Sequence, residues 1–372
     1  MRAKITSAPF VRGKNSVPWM MTTMLIALSP LVVMSVYYYG LRALIVTAIS
    51  GFACYLLDMA CMFLVERRVE PLDLSGLVTG ITMAMLMPAS IPYYVPVVGA
   101  FVAIVVAKWP FGGFGKTPFN PAAVGIAFLS ITFSKQMFFY PLPFANLGLE
   151  SEVSTTLVES TSAMLKLEGI PNFGKMEMIL GKFPGPMGVT NILVVGTCLL
   201  LLLALGSVSW HVPVTMLATM GAYAFLFPRV MSSRIGSAFY ELVSGGIVFV
   251  AVFIAGDTVT APKTKPAKII YAFLAGLVTM LFSRYGAFEV GACFAIVVLN
   301  SICPLLDRAC TYFYYHRTQL KQRSLAFAKN YTKQAQAALD VLSSKKKEEN
   351  SPYGKHPKET KEETKPGQEG QN

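Results

Sequence analysis

Ten runs of apolar residues constrain the fold of this chain more than any other feature of its sequence. A helix needs about 20 apolar residues to cross a hydrocarbon layer about 30 Å thick, and fewer where protein shields a broken span. The sequence therefore predicts an all-α polytopic membrane protein of about ten transmembrane helices. The runs lie approximately at Trp19–Tyr39, Leu41–Val65, Leu74–Pro88, Val95–Trp109, Pro121–Phe133, Thr190–Leu205, His211–Phe227, Leu242–Ala255, Ile269–Phe282 and Ala287–Leu306.

The low charge content supports the same class. Only 14% of the 372 residues are charged, whereas a soluble domain has roughly a quarter. The formal net charge of +12 would also fit a partner such as nucleic acid. However, the segment after Ala309 mixes 12 Lys and Arg with 7 Asp and Glu, which argues against nucleic acid and leaves membrane lipid as the expected surroundings.

Basic residues between the runs predict the orientation, because short cytoplasmic connections are enriched in Lys and Arg. With both termini in the cytoplasm, four groups fall inside: Arg2 to Lys14, Arg67 and Arg68, Lys108 and Lys116, and Lys263 to Lys268. The outward connections then carry only Arg42, Arg229, Arg234 and Arg284. We predict a multi-pass protein of the cell (inner) membrane without a cleaved signal peptide, in which Thr190 lies on the outer face.

Two sets of five spans share local patterns. Leu77–Ile81 resembles Leu242–Ile247, and Phe119–Ala123 resembles Phe288–Ala292. Because five is an odd number, a second copy of a five-span unit is inverted in the membrane, an arrangement typical of transporters. The predicted organisation is a cytoplasmic segment 1–18, a first repeat 19–133, an extracytoplasmic loop 134–189, a second repeat 190–309, an amphipathic cytoplasmic helix 310–342 and a disordered charged tail 343–372.

A turn rich in Pro and Gly, Phe183–Val189, directly precedes Thr190 and the sixth run. A hydroxyl at a helix start is usually an N-cap, which accepts a hydrogen bond from a backbone amide. Helix-start amides also suit a phosphate group. The residues alone leave both interpretations of Thr190 open.

Three carboxylates lie in or near the predicted spans. Asp58 lies within the second run, where an unpaired charge is costly, so it is either part of a proton or sodium path or a structural group bonded to its neighbours. Asp257 follows the eighth run beside Thr258 and Thr260, which fits either an ion or ligand site or a cap. Glu289 precedes the tenth run, where the helix dipole alone accounts for it. The six cysteines and three histidines have no metal-site spacing.

Several motifs together carry a family resemblance: Ser7-Ala8-Pro9, Tyr37-Tyr38-Tyr39-Gly40, the segment Gly115–Ala123, the Gly188-Val189-Thr190 triplet and the segment Asp257–Pro262. Over residues 5–310 the chain resembles the membrane-subunit family that contains the D subunit of the Rnf electron-transport complex. That family also contains the B subunit of the sodium-translocating quinone reductase. The short segment before the first run favours the Rnf type.

The resemblance implies a flavoprotein. In the family, a threonine in a Ser-Gly-Ala-Thr-like motif is joined to FMN through a phosphoester, and the matching residue here is Thr190, with Gly188 at the spacing of the motif. Met187, Val189 and Pro184 depart from that motif. The family further implies a cofactor-proximal or ion-proximal role for Asp257, and a second, non-covalent flavin such as riboflavin in the bundle.

The function implied is a subunit of an ion-translocating oxidoreductase. It would relay electrons between redox partners of the ferredoxin and NAD class while H⁺ or Na⁺ is moved, alongside subunits that carry iron–sulfur centres and flavins. Because the flavin supplies the redox chemistry, no side chain is assigned a catalytic acid–base role. The alternatives are a secondary transporter or channel for a small polar solute, and a scaffold whose flavin motif has decayed.

Overall fold

The computed structural model describes residues 17–67, 73–150, 157–166, 169, 173–229, 233–244, 246–286 and 291–349. Nearly all regular structure in these ranges is helical, which confirms the predicted helical membrane-protein class. The chain separates into two units, residues 1–311 and 312–372.

The first group of helices begins with a close pair. Helix α1 spans Val17–Tyr39 and α2 spans Leu41–Glu66. They are joined by Gly40 alone, whose φ of +70° is readily accessible only to glycine. The remaining elements of this group are α3 (Ser75–Met85), α4 (Tyr94–Phe101), a π-helical continuation (Val102–Val106), a 3₁₀ turn (Trp109–Phe111) and α5 (Pro121–Thr132).

The long connection between the two groups contains short elements. They are α6 (Ser134–Met137), β1 (Phe139–Tyr140), β2 (Val158–Glu159), α7 (Thr161–Lys166) and α8 (Lys175–Ile179). The two strands pair in antiparallel fashion, with Phe139 opposite Glu159.

The second group begins at α9, immediately after Thr190 and Asn191. Its elements are α9 (Ile192–Ala204), α10 (His211–Leu226), α11 (Arg234–Ser244), α12 (Ile247–Phe249), a second π-helical segment (Val250–Ile254), α13 (Lys265–Tyr285), α14 (Gly291–Asn300) and α15 (Cys303–Glu349).

Helix length separates the described apolar helices into three classes. Four are long enough to cross a membrane: α1, α2, α13 and the segment Tyr94–Phe111. Two bent pairs, Arg234–Ser244 with Ile247–Ile254 and Gly291–Asn300 with Cys303–Gln319, pass the same test. Four shorter apolar helices, α3, α5, α9 and α10, have 11 to 16 residues. Helix α3 ends at Met85, slightly before the end of the third predicted run, and the eighth and tenth runs are bent rather than continuous.

Helix α15 extends past the end predicted for it at Leu342. Residues 343–349, which we expected to be disordered, are helical. They contain Ser, Lys and Glu but neither Gly nor Pro, and Lys and Glu are good helix formers. Residues 350–372 lie outside the described residues.

The two groups of helices share one hydrophobic core. Helix α1 packs against α9, and α5 packs against α14. Within the first group, α2 and α3 approach so closely that a Cβ on Gly80 would lie 2.5 Å from the carbonyl oxygen of Ser50. Small residues permit such close helix contacts in membranes.

Candidate functional site

The segment Gly181–Asn191, here called the Thr190 loop, is anchored by the last residues of α1. The Tyr38 hydroxyl donates a hydrogen bond to the carbonyl oxygen of Leu180, and the Tyr39 hydroxyl donates to that of Gly185 at 3.3 Å. Asn191 Nδ2 also donates to the Tyr38 hydroxyl at 3.3 Å. The tyrosines that carry part of the family resemblance therefore have a structural task, which is to hold this loop.

Gly188 lies against the end of α3. The amides of Met187 and Gly188 donate to the carbonyl oxygens of Met87 and Met85, each at 3.0 Å. A Cβ on Gly188 would lie 2.5 Å from Met85 Cβ. Close packing against Met85 therefore explains why position 188 is a glycine, since a larger residue would push the loop away from α3.

The structure does not use Thr190 as the cap of α9. Asn191 is the N-cap, and its side chain accepts a hydrogen bond from the Val194 amide at 3.2 Å. Thr190 is only 1% exposed, and its hydroxyl makes no hydrogen bond within the part of the chain that the structure describes. The capping interpretation of Thr190 is therefore wrong by one residue, and its hydroxyl is buried without serving as a cap.

Asp58 lies in a second site, the Asp58 cluster, which consists of Asp58, Ser75, Lys108 and Trp109. Lys108 Nζ lies 2.6 Å from Asp58 Oδ2 and donates to Ser75 Oγ at 2.6 Å. Trp109 Nε1 donates to Asp58 Oδ1 at 2.7 Å. Each carboxylate oxygen thus has a strong donor, in a pair whose side chains are only 2% and 3% exposed.

These contacts explain how a carboxylate is accommodated within a predicted span. A buried charge is tolerated when it is paired and hydrogen-bonded, and both conditions hold for Asp58. Lys108 is predicted on the cytoplasmic side, and the structure adds that its side chain is buried. Whether Asp58 belongs to an ion path stays a prediction.

Asp257 lies at the wall of a cavity, here called the inner cavity, between the two groups of helices. Residues of α1, α3, α5 and the second π-helical segment line this cavity, together with Lys108. Asn120 Nδ2 donates to Asp257 Oδ2 at 3.2 Å, and the Thr260 hydroxyl donates to the same oxygen at 3.2 Å. Burial raises the pKa of Asp257, while the hydrogen bonds from Val259, Thr260 and Asn120 oppose that rise.

A further cavity, here called the vestibule, adjoins the inner cavity. Its lining includes Glu66, Asp73, Trp109 and Lys116, and it shares Met21 and Phe114 with the inner cavity. The vestibule is therefore the more charged of the two spaces.

Arg42, expected as an outward-facing charge, is fully buried. Its Nε donates to the Ala89 carbonyl oxygen at 2.8 Å, and its Nη2 donates to those of Ser90 and Ile91 at 3.3 and 3.2 Å. Backbone that leaves a helix in an apolar layer needs such donors, because no water is present to satisfy it. Arg42 thus stabilises the Pro-containing break after α3.

Glu289 lies outside the described residues. Within the described ranges no group of three or more His, Cys, Asp or Glu could hold a metal ion.

Sequence reasoning missed the partners of the carboxylates. Lys108, Ser75, Trp109 and Asn120 are bound to Asp58 or Asp257 through side chains that lie far away in sequence. The available signal for the first pair was a lysine at the end of an apolar run, with a carboxylate inside another run. Spacing alone does not say that the two meet.

The fold and these sites define a class: a polytopic helical membrane protein in which two groups of helices enclose a mainly apolar cavity and the first group contains a buried ion pair. The chain belongs to the NQR2, RnfD, RnfE family, whose model matches residues 4–315. Residues 316–372, including the end of α15, lie beyond the match.

Similar proteins match this chain over nearly their whole length. The D subunit of a proton-translocating ferredoxin:NAD(+) oxidoreductase complex from Clostridium ljungdahlii is 30% identical over 313 residues, 82% of this chain and 93% of the relative. The D subunit of a Na(+)-translocating complex of the same type from Acetobacterium woodii is 30% identical over 87% of this chain and 98% of the relative. The D subunit of an ion-translocating oxidoreductase complex from Stutzerimonas stutzeri is 31% identical over 80% and 91%.

Replacing Gly188 tests the contact with Met85. Gly188→Ala is expected to lower the melting temperature of the detergent-solubilised protein, because the new Cβ overlaps Met85. Gly196→Ala, in α9, is the matched control: its Cβ would meet nothing within 4 Å, and alanine favours the helix by about 0.5–1 kcal/mol. Equal melting temperatures for Gly188→Ala and the unmodified protein would contradict the close packing.

The Asp58 cluster makes a double-mutant prediction. Asp58→Asn or Lys108→Met alone should destabilise the protein by about 3–5 kcal/mol, since each leaves a buried charge without its partner. The double variant should lose less than the sum of the two. The quantity to measure is the free energy of unfolding in detergent, with Asp340→Asn, an exposed site, as the control. Strict additivity would show that the two charges do not interact.

Proposed function

We propose that this chain is a membrane subunit of an Rnf-type ion-translocating electron-transport complex. The observation that carries the proposal is the match over residues 4–315, together with about 30% identity to D subunits over more than nine tenths of their length. The partners would be the other subunits of such a complex, including iron–sulfur and flavin subunits. The relatives named above differ in coupling ion, so either H⁺ or Na⁺ is compatible.

We further propose ten spans arranged as two inverted repeats of five. Four long helices, two bent pairs and four shorter apolar helices are present among the described residues, a number that supports this arrangement. The distribution of Lys and Arg supports cytoplasmic termini and an outer Thr190, although Lys108 and Arg42 no longer count as loop charges. The vestibule would then open toward the cytoplasm. The labelling experiment of the next subsection also tests this orientation.

Thr190 is the proposed attachment site of FMN. The chemical groups around it suit a phosphate, but the residue is buried. Its hydroxyl is free of hydrogen bonds within the described residues and lies one residue before the N-cap of α9, where helix-start amides favour a phosphate. However, the residue is 1% exposed, and a Cβ on Gly185 would lie 3.1 Å from Thr190 Cγ2. Attachment therefore requires the Thr190 loop to move so that the hydroxyl becomes accessible.

A second, non-covalent flavin such as riboflavin is proposed for the inner cavity. The lining combines apolar side chains such as Met24 and Phe253 with Thr79, Thr82 and Asn120, which is the usual composition of a small-molecule site. The cavity itself measures only about 60 Å³, so a flavin would enter only if the cavity widened into the vestibule of about 350 Å³. Asn120 and Asp257 would orient the polar edge of a ligand, and the apolar residues would exclude water. Bound flavin would supply one- and two-electron chemistry.

The chain's own carboxylates, Asp257 and Asp58, are the proposed groups that would bind the translocated cation or proton. Asp257 at the wall of the inner cavity is the better placed of the two proposed ion-path residues. Asp58 would take part only after its bond with Lys108 is exchanged for another partner. The Asp58 cluster therefore supports a gated path rather than an open one.

Flavin attachment is tested by mass spectrometry of the peptide that contains Thr190, purified from native, flavin-replete membranes. The expected result is the mass of an FMN ester on this peptide, its loss in Thr190→Ala, and its retention in Thr197→Ala, an exposed control on α9. An unmodified peptide in the wild-type protein would refute covalent attachment. Retention in Thr190→Ala would refute the site.

The function is tested in inverted membrane vesicles of the source cell. Reduced ferredoxin and NAD⁺ should drive uptake of H⁺ or ²²Na⁺, deletion of this chain should abolish both NADH formation and uptake, and its return should restore them. Undiminished ferredoxin-dependent NADH formation in the deletion strain would refute the proposal. Solute flux through the purified, flavin-free chain in liposomes would support a transporter instead.

A further inference from the structure

Phe114 stands where the two cavities meet. Two residues, Met21 and Phe114, line both the inner cavity and the vestibule. The backbone of Met21 is held within α1, whereas Phe114 lies in the loop between the 3₁₀ turn and α5. A side chain common to both walls is the one whose rotation would join the two spaces.

The backbone beside Phe114 is packed on one side and unobstructed on the other. Gly113 and Gly115 flank it with φ values of +79° and +85°. A Cβ on Gly113 would touch the Trp109 ring at 3.5 Å, whereas one on Gly115 would meet nothing within 4 Å. The loop is therefore packed against Trp109 before Phe114 and open after it.

The Asp58 cluster holds the packed side. Lys108 Nζ, bonded to Asp58, lies 5.9 Å from the centre of the Phe114 ring, within the range of a cation–π contact. Trp109, bonded to the same carboxylate, supports Gly113, and the Gly113 amide donates to the Lys108 carbonyl oxygen at 3.3 Å. One carboxylate thus positions the two side chains against which the loop rests.

We propose that the Phe114 ring is a movable partition between the vestibule and the inner cavity, and that the Asp58 cluster holds it closed. Water and small hydrophilic species would pass from one space to the other only when the ring turns about the loop between Gly113 and Gly115. Weakening the bond between Asp58 and Lys108 would release the ring. The proposal concerns access alone and does not rest on a bound flavin or on electron transfer.

The test measures access to Thr79, which lines the inner cavity and not the vestibule. Thr79→Cys in the full chain is treated in membrane vesicles of both orientations with a small charged methanethiosulfonate reagent. Mass spectrometry of the peptide that carries position 79 gives the labelling rate, so the native cysteines do not interfere. Adding Phe114→Ala should raise the rate at least about tenfold, and Phe114→Trp should lower it.

Phe111→Ala is the matched control, because Phe111 lies in the same connection but lines neither cavity, and it should leave the rate unchanged. Asp58→Asn should raise the rate if that variant folds, and the Phe114 variants decide the question if it does not. An unchanged rate in Phe114→Ala, or an equal rise in Phe111→Ala, would overturn the proposal. The labelling rates are compared on whichever membrane face admits the reagent. The result for the Phe114 partition therefore does not depend on the proposed membrane orientation.

Discussion

The bond between Asp58 and Lys108 is the interaction on which much of this structure depends. Two opposite charges with side chains 2–3% exposed are tolerable in an apolar layer only as a pair, so each fixes the position of the other. The lysine comes just after the first π-helical segment and the aspartate from the middle of α2. Their bond therefore sets how the end of the fourth helix lies against the second, and with it the start of the loop that contains Phe114.

A similar principle applies at Arg42. Its guanidinium supplies donors to three successive carbonyl oxygens where the chain turns between α3 and α4. In both places a basic side chain that resembles an ordinary loop charge in the sequence is an internal structural group. Arg42 thus stabilises the break after α3, while the carbonyl oxygen of Met85, at the end of α3 itself, accepts a hydrogen bond from the Gly188 amide.

Features that depend on contacts between residues close in sequence could be predicted, whereas those that depend on residues far apart in sequence could not. Asn120 is the N-cap of α5, with its side chain accepting from the Ala123 amide, and Pro121 follows it at the first helical position, where proline is common. Apolar runs predicted most helices because burial and local propensity act within one segment. The partner of Asp58 lies 50 residues away, and no local pattern encodes such a distance. Thr190 and Asn191 are both capable caps, and only tertiary contacts with Tyr38 and Leu180 decide between them.

Asn120 has a consequence that reaches across the molecule. Its Oδ1 atom accepts a hydrogen bond from the Ala123 amide in the first turn of α5, while its Nδ2 atom donates to Asp257 beyond the second π-helical segment. An amide nitrogen only donates, so this bond is strongest when the carboxylate is charged and weaker when it takes up a proton. The residue that begins α5 in the first group is thereby hydrogen-bonded to a carboxylate of the second group, and the strength of this bond depends on the charge of Asp257.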